Sequence, residues 1–199
     1  LSNLVSVTLI RGLWNTKCRE MKECSLSIIA RTERLHLRRI EEADLVSLGR
    51  IYADPICMQF YPGTKSASET DAWFHKLAFD SYNRHGFGLW AVVDAASGEV
   101  IGDCGITLQE TPAGLEPEIG YHLWRDFWGK GLATEAALAC RDHAFHSLGL
   151  RRVVSITSPE NMPSQKVAQR VHERREVYQK RLGKSEILVD RYLYISEKR

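Results

Sequence analysis

No C-x-x-C pair occurs in this 199-residue chain, and its five cysteines, Cys18, Cys24, Cys57, Cys104 and Cys140, are odd in number and scattered. Neither a disulfide framework nor a cysteine-built zinc site is indicated, and a reducing cytoplasmic setting is the expectation. No apolar run approaches the roughly 18 residues that suggest a membrane span, so no membrane association is expected. Charge excess is lacking too. The 27 Lys and Arg against 25 Asp and Glu leave +2, which does not argue for direct DNA binding. The seven histidines have no ligand spacing. His143 and His146 stand three apart in a helical stretch, but no third ligand is near, and no metal is expected. Internal repeats, low-complexity segments and linkers are also missing.

What is present suits one soluble domain: 44% of residues are apolar and 26% charged. The opening "LSNLVSVTLI" is apolar but has no basic residue before it, which makes it a poor signal peptide. Met21 stands just ahead of "KECSLSIIARTERLHLRRI". Residues 1–24 are therefore read as an N-terminal extension, disordered or artificial in origin, and 25–199 as a single domain.

Patterning gives the coarse layout. Residues 28–40 alternate apolar and polar side chains and read as one half-buried strand. Residues 41–54 place Leu45, Leu48 and Ile51 at helical spacing before Pro55. A second amphipathic helix covers 69–86 and closes at Gly86. Residues 88–108 read as two strands around a turn at 96–98, and 116–124 as a fourth strand. A long helix over 132–150 ends at Gly149. The β-branched stretch 151–158 is a fifth strand, 161–175 a helix, and two last strands meet around Gly183. Antiparallel hairpins followed by one βαβ crossover (116–158) predict an α+β fold, with about seven strands and about four helices.

The chemistry concentrates in "WRDFWGKGLATEA" (124–136). Gly129 and Gly131 flank Lys130 where a strand gives way to an alanine-rich helix. A helix N-terminus offers four N–H groups without intrahelical partners and a positive dipole end. Two glycines let a diphosphate approach the main chain, and successive bare amides form an anion nest. A plain tight turn is the alternative for a lone G-x-G. The P-loop pattern is absent. The dinucleotide fingerprint fails at its third glycine, where Thr134 stands, and at its acidic ribose partner, where Arg151 and Arg152 stand. That basic pair keeps an NADP-linked reductase as a secondary reading.

Beyond the loop, "TERLHLRRIEEAD", "GEVIGDCGI", "EIGYHLWRDFWGKGLATEA", "NMPSQKVAQR" and "DRYLYI" together resemble the GCN5-related N-acetyltransferase (GNAT) superfamily over about residues 30–195. The similarity is strongest to the subgroup that includes ribosomal-protein N-terminal acetyltransferases. Two departures stand out. The superfamily pattern wants a basic or amide residue three before the first glycine, where this chain has Asp126, with Arg125 one step early. The helix after Asn161 usually ends in a Leu-Gly-Phe/Met turn, whereas here "RVHERREV" puts His172 at the glycine position. An altered turn near 172 is expected.

The resemblance implies a twisted, mostly antiparallel sheet whose fourth (116–124) and fifth (151–158) strands splay apart. The pantetheine arm of acetyl-CoA would lie between them. It implies a diphosphate cradle of backbone N–H groups from Asp126 through Phe127, Trp128, Gly129, Lys130, Gly131 and Leu132 to Ala133. A main-chain N–H at Leu123 or Trp124 would polarise the thioester carbonyl. Glu118 is the expected base, with Glu116 in reserve. The tyrosine many members use to protonate the thiolate has no counterpart, since the residue seven beyond Asn161 is Ala168. Ser164 is the expected proton donor, with helix-start hydrogen bonding as its alternative role. Asn161 is expected to bind pantetheine or cap the helix. Trp73, Phe74, Tyr82, Phe87 and Trp90 read as core and acceptor wall.

The implied activity is acetyl transfer to a primary amine by a monomer or homodimer. The acceptor is either a protein N-terminus, ribosomal or other, or a small amine. No buried His–Asp pair is evident in the sequence. That favours an α-amine, with pKa about 7.7–8.0, over a lysine at about 10.4. A non-catalytic acyl-CoA sensor or scaffold on the same fold is the rival.

Overall fold

The computed structural model describes residues 28–181 and 187–198, so the expected extension at 1–24 and the turn around Gly183 lie outside the described residues. Chain order is β1 (Ile28–Arg31), β2 (Leu35–Arg39), α1 (Leu45–Ala53), α2 (67–85), β3 (Leu89–Asp94), β4 (Val100–Thr111) and β5 (Gly114–Leu123). It continues with α3 (Leu132–His146), β6 (Arg152–Thr157), α4 (Met162–Val171), β7 (Arg174–Arg181) and β8 (Leu188–Glu197). The strands form one sheet in the order β1-β2-β3-β4-β5-β6-β8-β7. Every pairing is antiparallel except β5 with β6. This is the α+β layout that the patterning predicts. No helix among the described residues is long and apolar enough to cross a membrane.

Among the described residues eight strands stand where about seven were expected, because 28–40 is not one strand. Thr32 closes a tight turn on Leu35: its main-chain N–H donates to the Leu35 carbonyl at 2.9 Å, and its Oγ1 accepts the Leu35 N–H at 2.9 Å. A hydroxyl-capped turn leaves the apolar alternation intact on both sides, so periodicity alone runs straight through it. The helix expected over 161–175 also stops early, at Val171. His172 is extended, with φ −117° and ψ 152°, a conformation that a side-chain-bearing residue adopts freely.

Local chemistry explains the other boundaries. Ser66 and Glu69 form a reciprocal capping box that starts α2 at Ala67, two residues ahead of the pattern. A π turn at His75–Phe79 interrupts α2, and Gly86 ends it with φ 78°. On α1, Leu48, Ile51 and Tyr52 are buried at helical spacing. On α3, Ala136, Ala137, Cys140 and Ala144 have no exposed surface, so the helix lies close against the sheet. The Sγ atoms of Cys104 on β4 and Cys140 on α3 are 3.3 Å apart. Phe74, Tyr82, Phe87 and Trp90 belong to this core as expected, while Trp73 is only partly buried at its edge.

The β4–β5 pair carries the site, and its spacing depends on Gly102. A Cβ there would lie 2.1 Å from the His122 carbonyl oxygen across the ladder. Replacing Gly102 with Ala should therefore push β5 outward and destabilise the fold by about 1–3 kcal/mol. Equilibrium urea unfolding reads this, and an unchanged midpoint would contradict the close approach.

Candidate active site

The parallel neighbours β5 and β6 share a single register pair, Glu118 opposite Val154. Beyond it the strands part. At the point of divergence side chains replace the missing main-chain rungs. The Ile156 N–H donates to Glu118 Oε1 at 3.1 Å, and the Ser155 hydroxyl donates to the Ile119 carbonyl at 2.8 Å. Buried polar groups need such partners, and these two allow the sheet to open without orphaned groups at the crotch.

The edge exposed by the gap follows from the ladder on the other side of β5. The Trp124 N–H donates to the Ile101 carbonyl of β4 at 2.9 Å. Main-chain groups alternate along a strand, and the β4–β5 register is unbroken. Even-numbered residues of β5 therefore serve β4. Tyr121 and Leu123 turn their N–H and C=O groups toward the gap, and the Leu123 carbonyl accepts the Trp128 indole N–H at 2.7 Å.

The cradle lies at the end of this edge. Gly129 and Gly131 have φ of 73° and 78°, a left-handed conformation that favours glycine. A Cβ at Gly129 would meet no protein atom within 4 Å. Backbone conformation and access from outside are thus the reasons for the two glycines, rather than crowding within the fold. No described residue accepts from the N–H groups of 129–134, and the first bond of α3 runs from the Glu135 N–H to the Gly131 carbonyl at 3.1 Å. These amides and the positive end of α3 could hold an anion. Arg34, from the β1–β2 turn, fixes the loop by donating to the Lys130 carbonyl at 2.9 Å and pairing with Glu135 at 2.5 Å. Burial pushes the Glu135 pKa up, but hydrogen bonds from Thr32 and Arg34 outweigh it and hold the carboxyl below its ordinary range.

A cavity of about 510 Å³ runs from the cradle to α4. Of the expected cofactor residues, Leu123, Phe127, Trp128, Gly129, Gly131, Leu132, Ala133, Asn161 and Ser164 line it. Trp124, Asp126 and Lys130 do not. The Trp124 ring packs against Arg50 and Arg125, and its indole N–H donates to Asp126 at 3.2 Å. The Lys130 ammonium lies over the Phe127 ring, 5.2 Å from its centroid. The amides of Phe127 and Trp128 are already committed to the carbonyls of Trp124 and Arg125 in a 3-10 turn. Within the expected 126–133 stretch the amides of Phe127 and Trp128 are thus occupied, while those of 129–134 have no acceptor among the described residues. Trp124's own N–H is spent on β4, which leaves Leu123 of the two expected carbonyl-polarising amides. On α4, Asn161 accepts the Ser164 N–H at 3.1 Å, so it caps the helix. Lys166 and Arg170 add two cations to the cavity wall that the sequence reading missed.

A second cavity of about 250 Å³ opens on the other side of the gap, with Glu118, Trp73, Thr107 and Lys180 in its wall. Ser164, Tyr61, Tyr121 and His122 border both cavities. Burial pushes the Glu118 carboxyl up to about 7, against the pull of Lys180, the Ile156 N–H, His122 and Thr107. Glu116, the reserve base, is held by Arg152 at 2.5 Å and by Thr111. Arg152 also pairs with Glu197 at 2.8 Å, so one of the two cations behind the NADP reading is engaged elsewhere.

One expectation is overturned. A part-buried His–Asp pair does exist: His122 Nδ1 is 3.2 Å from Asp103 Oδ1, and Asp103 has no exposed surface. The preference for an α-amine that rested on its absence loses that support. His143, one of the two spaced histidines, packs edge-on against Trp90 at 5.3 Å, and burial lowers its pKa. His172 is buried between the hydroxyls of Ser155 and Ser196, each 2.9 Å away. Burial and the nearby Arg141 push its pKa down to about 3, so it braces the crotch as a neutral group.

Residues 34–173 match the family model described as an acetyltransferase (GNAT) domain. The uncharacterized protein YkkB of Bacillus subtilis is 35% identical over 143 residues, 70% of this chain and 81% of its own. An uncharacterized N-acetyltransferase, p20 of Bacillus licheniformis, is 30% identical over 177 residues, 84% of this chain and 95% of its own. The solved acetyltransferase of Agrobacterium tumefaciens superposes with a TM-score of 0.69 at 30% identity, covering 85% of this chain and 94% of that one.

If amides 129–134 grip a diphosphate, Gly129→Val should weaken CoA binding at least about tenfold by blocking the approach and straining a left-handed position. Titration calorimetry with CoA checks this alongside a thermal melt. Unchanged affinity in a folded variant would place the diphosphate elsewhere.

Proposed function

Because the chain belongs to the GNAT acetyltransferase family, we propose that it transfers an acetyl group directly from acetyl-CoA to a primary amine bound across the gap. The observation that carries this reading is the wedge itself. Bare amides and an unpaired strand edge stand on one side, and a carboxyl with a pKa of about 7 stands at the crotch on the other.

The diphosphate lies on 129–134, and the pantetheine arm runs along Tyr121 and Leu123 as an added strand would. The Leu123 N–H polarises the thioester carbonyl. Ser164 and the Asn161 amide border the arm from α4. The amine enters through the second cavity and attacks the carbonyl carbon. Glu118 takes its proton, directly or through one water, and the C–S bond then breaks. A base with a pKa near the working pH combines a usable deprotonated fraction with useful proton affinity. With His122–Asp103 beside Glu118, both α-amines and more basic amines are within range. Protein N-termini, ribosomal or other, and small amines are therefore both on the acceptor panel. The free thiols of Cys57, Cys104 and Cys140 support a reducing, cytoplasmic setting.

Thiol release from acetyl-CoA with peptide N-termini, amino acids, polyamines and aminoglycosides tests the reading. CoA binding without turnover on any amine would instead make the chain a sensor or scaffold. Glu118 must be deprotonated to act, so kcat/KM should rise as pH increases through about 7. Glu118→Gln should remove that limb and lower kcat by about 10²–10⁴-fold. An unaltered pH profile in the variant would exclude Glu118 as the base.

A further inference from the structure

The leaving thiolate needs a proton, and the usual donor position is occupied by Ala168, which has no exposed surface and no proton to give. Ser164 is poorly placed to replace it. Its Oγ is 3.0 Å from the Tyr121 hydroxyl, which itself donates to the Ser164 carbonyl at 2.9 Å. With the Tyr121 proton on that carbonyl, the Ser164 proton is turned toward the Tyr121 oxygen.

A better-connected hydroxyl stands on the opposite wall. Tyr61, in the loop between α1 and α2, places its hydroxyl 2.7 Å from His122 Nε2. His122 Nδ1 faces Asp103 Oδ1 at 3.2 Å and the Tyr52 oxygen at 3.0 Å. Tyr52 donates its own proton to Asp103 Oδ2 at 3.1 Å, so its oxygen can only accept from His122. The network therefore puts a proton on Nδ1 and directs Nε2 at Tyr61. Asp103 is fully buried, so the Nδ1 side of the imidazole is closed off from solvent by the fold and Nε2 is the nitrogen that faces the cavity wall. The other titratable groups facing this chain are Glu118 and Tyr121 on β5, with Lys180 of β7 beside Glu118.

We infer that Tyr61 is the general acid that protonates the departing CoA sulfur, with His122 and Asp103 as the relay that backs it. The inference rests on the acetyl-transfer reading above. Tyr61 borders both cavities, so its hydroxyl stands where a thioester must sit to meet an amine. When His122 is the imidazolium, its Nε2–H donates to the Tyr61 oxygen, and the phenolic proton is free for the substrate. As the C–S bond breaks, sulfur keeps the electron pair and takes the Tyr61 proton. Tyr61 takes the Nε2 proton, leaving a neutral imidazole whose Nδ1–H stays on Asp103. Water removes the amine-derived proton from Glu118 and returns one to His122. The sum is amine plus thioester to amide plus thiol.

The test is steady-state kinetics across pH on wild type, Tyr61→Phe, His122→Gln, the double variant and Ser164→Ala. Each is first shown to be folded by its thermal melt. Tyr61→Phe should lower kcat about 10²-fold with KM for acetyl-CoA nearly unchanged. It should also abolish the alkaline limb that a general acid produces, because activity is lost when that acid deprotonates. His122→Gln should do the same, and the double variant should be no worse than either single one, as for groups acting as a unit. If Tyr61→Phe does not fold, His122→Gln alone decides. Active wild type with near-normal kcat in both Tyr61 and His122 variants, a loss confined to KM, or a loss carried by Ser164→Ala instead would overturn the relay and leave acetyl transfer standing. Wild type that binds CoA and releases no thiol would overturn acetyl transfer, and the relay with it.

Discussion

Two strands that run parallel but touch at one residue pair set the terms for everything else in this molecule. A parallel pair would normally continue its ladder. Here β5 and β6 meet at Glu118 and Val154 and then separate. Opening a sheet exposes main-chain groups that are expensive to leave unpaired. The chain handles the first of them with side chains, Glu118 to the Ile156 N–H and Ser155 to the Ile119 carbonyl, and leaves those of Tyr121 and Leu123 facing the gap. The same carboxylate that closes the crotch is the one that burial makes basic. Structure and chemistry thus share a group.

The two walls of the wedge are held by different means. On the cradle side, Trp128 is bonded to the end of β5 and Arg34 to Lys130 and Glu135, so the β1–β2 turn, the loop and α3 are tied together. On the other side, His172 fills a small polar chamber between Ser155 and Ser196. A histidine in place of the usual glycine thereby ties the end of α4 to β6 and β8. His172 is extended at the end of α4, and its side chain is a brace behind the crotch.

Much of this was legible in the residues. The glycine pair before an alanine-rich helix pointed to an anion cradle on physical grounds, and the βαβ crossover gave the parallel pair. Glu118 was read at the start of its strand, whereas β5 begins at Gly114 and Glu118 lies mid-strand, where only packing reveals its burial. What escaped had specific causes. The Thr32 turn is invisible to alternation, which it does not disturb. The amides of Phe127 and Trp128 looked available until the 3-10 turn consumed them. The Asp103–His122 pair was within reach, because counting back equally from the turn near 112–113 sets the two residues opposite each other. Tyr61 was not: it comes from a turn-rich loop whose path over the sheet no local pattern encodes.

Backbone amide NMR during a CoA titration tests the wedge and cradle most directly. The account predicts that the largest shifts fall on the amides of 129–134 and on Tyr121 and Leu123, with those of Phe127 and Trp128 less affected because they are already bonded. Saturation with CoA that leaves 129–134 unmoved, or shifts centred on another helix, would contradict it.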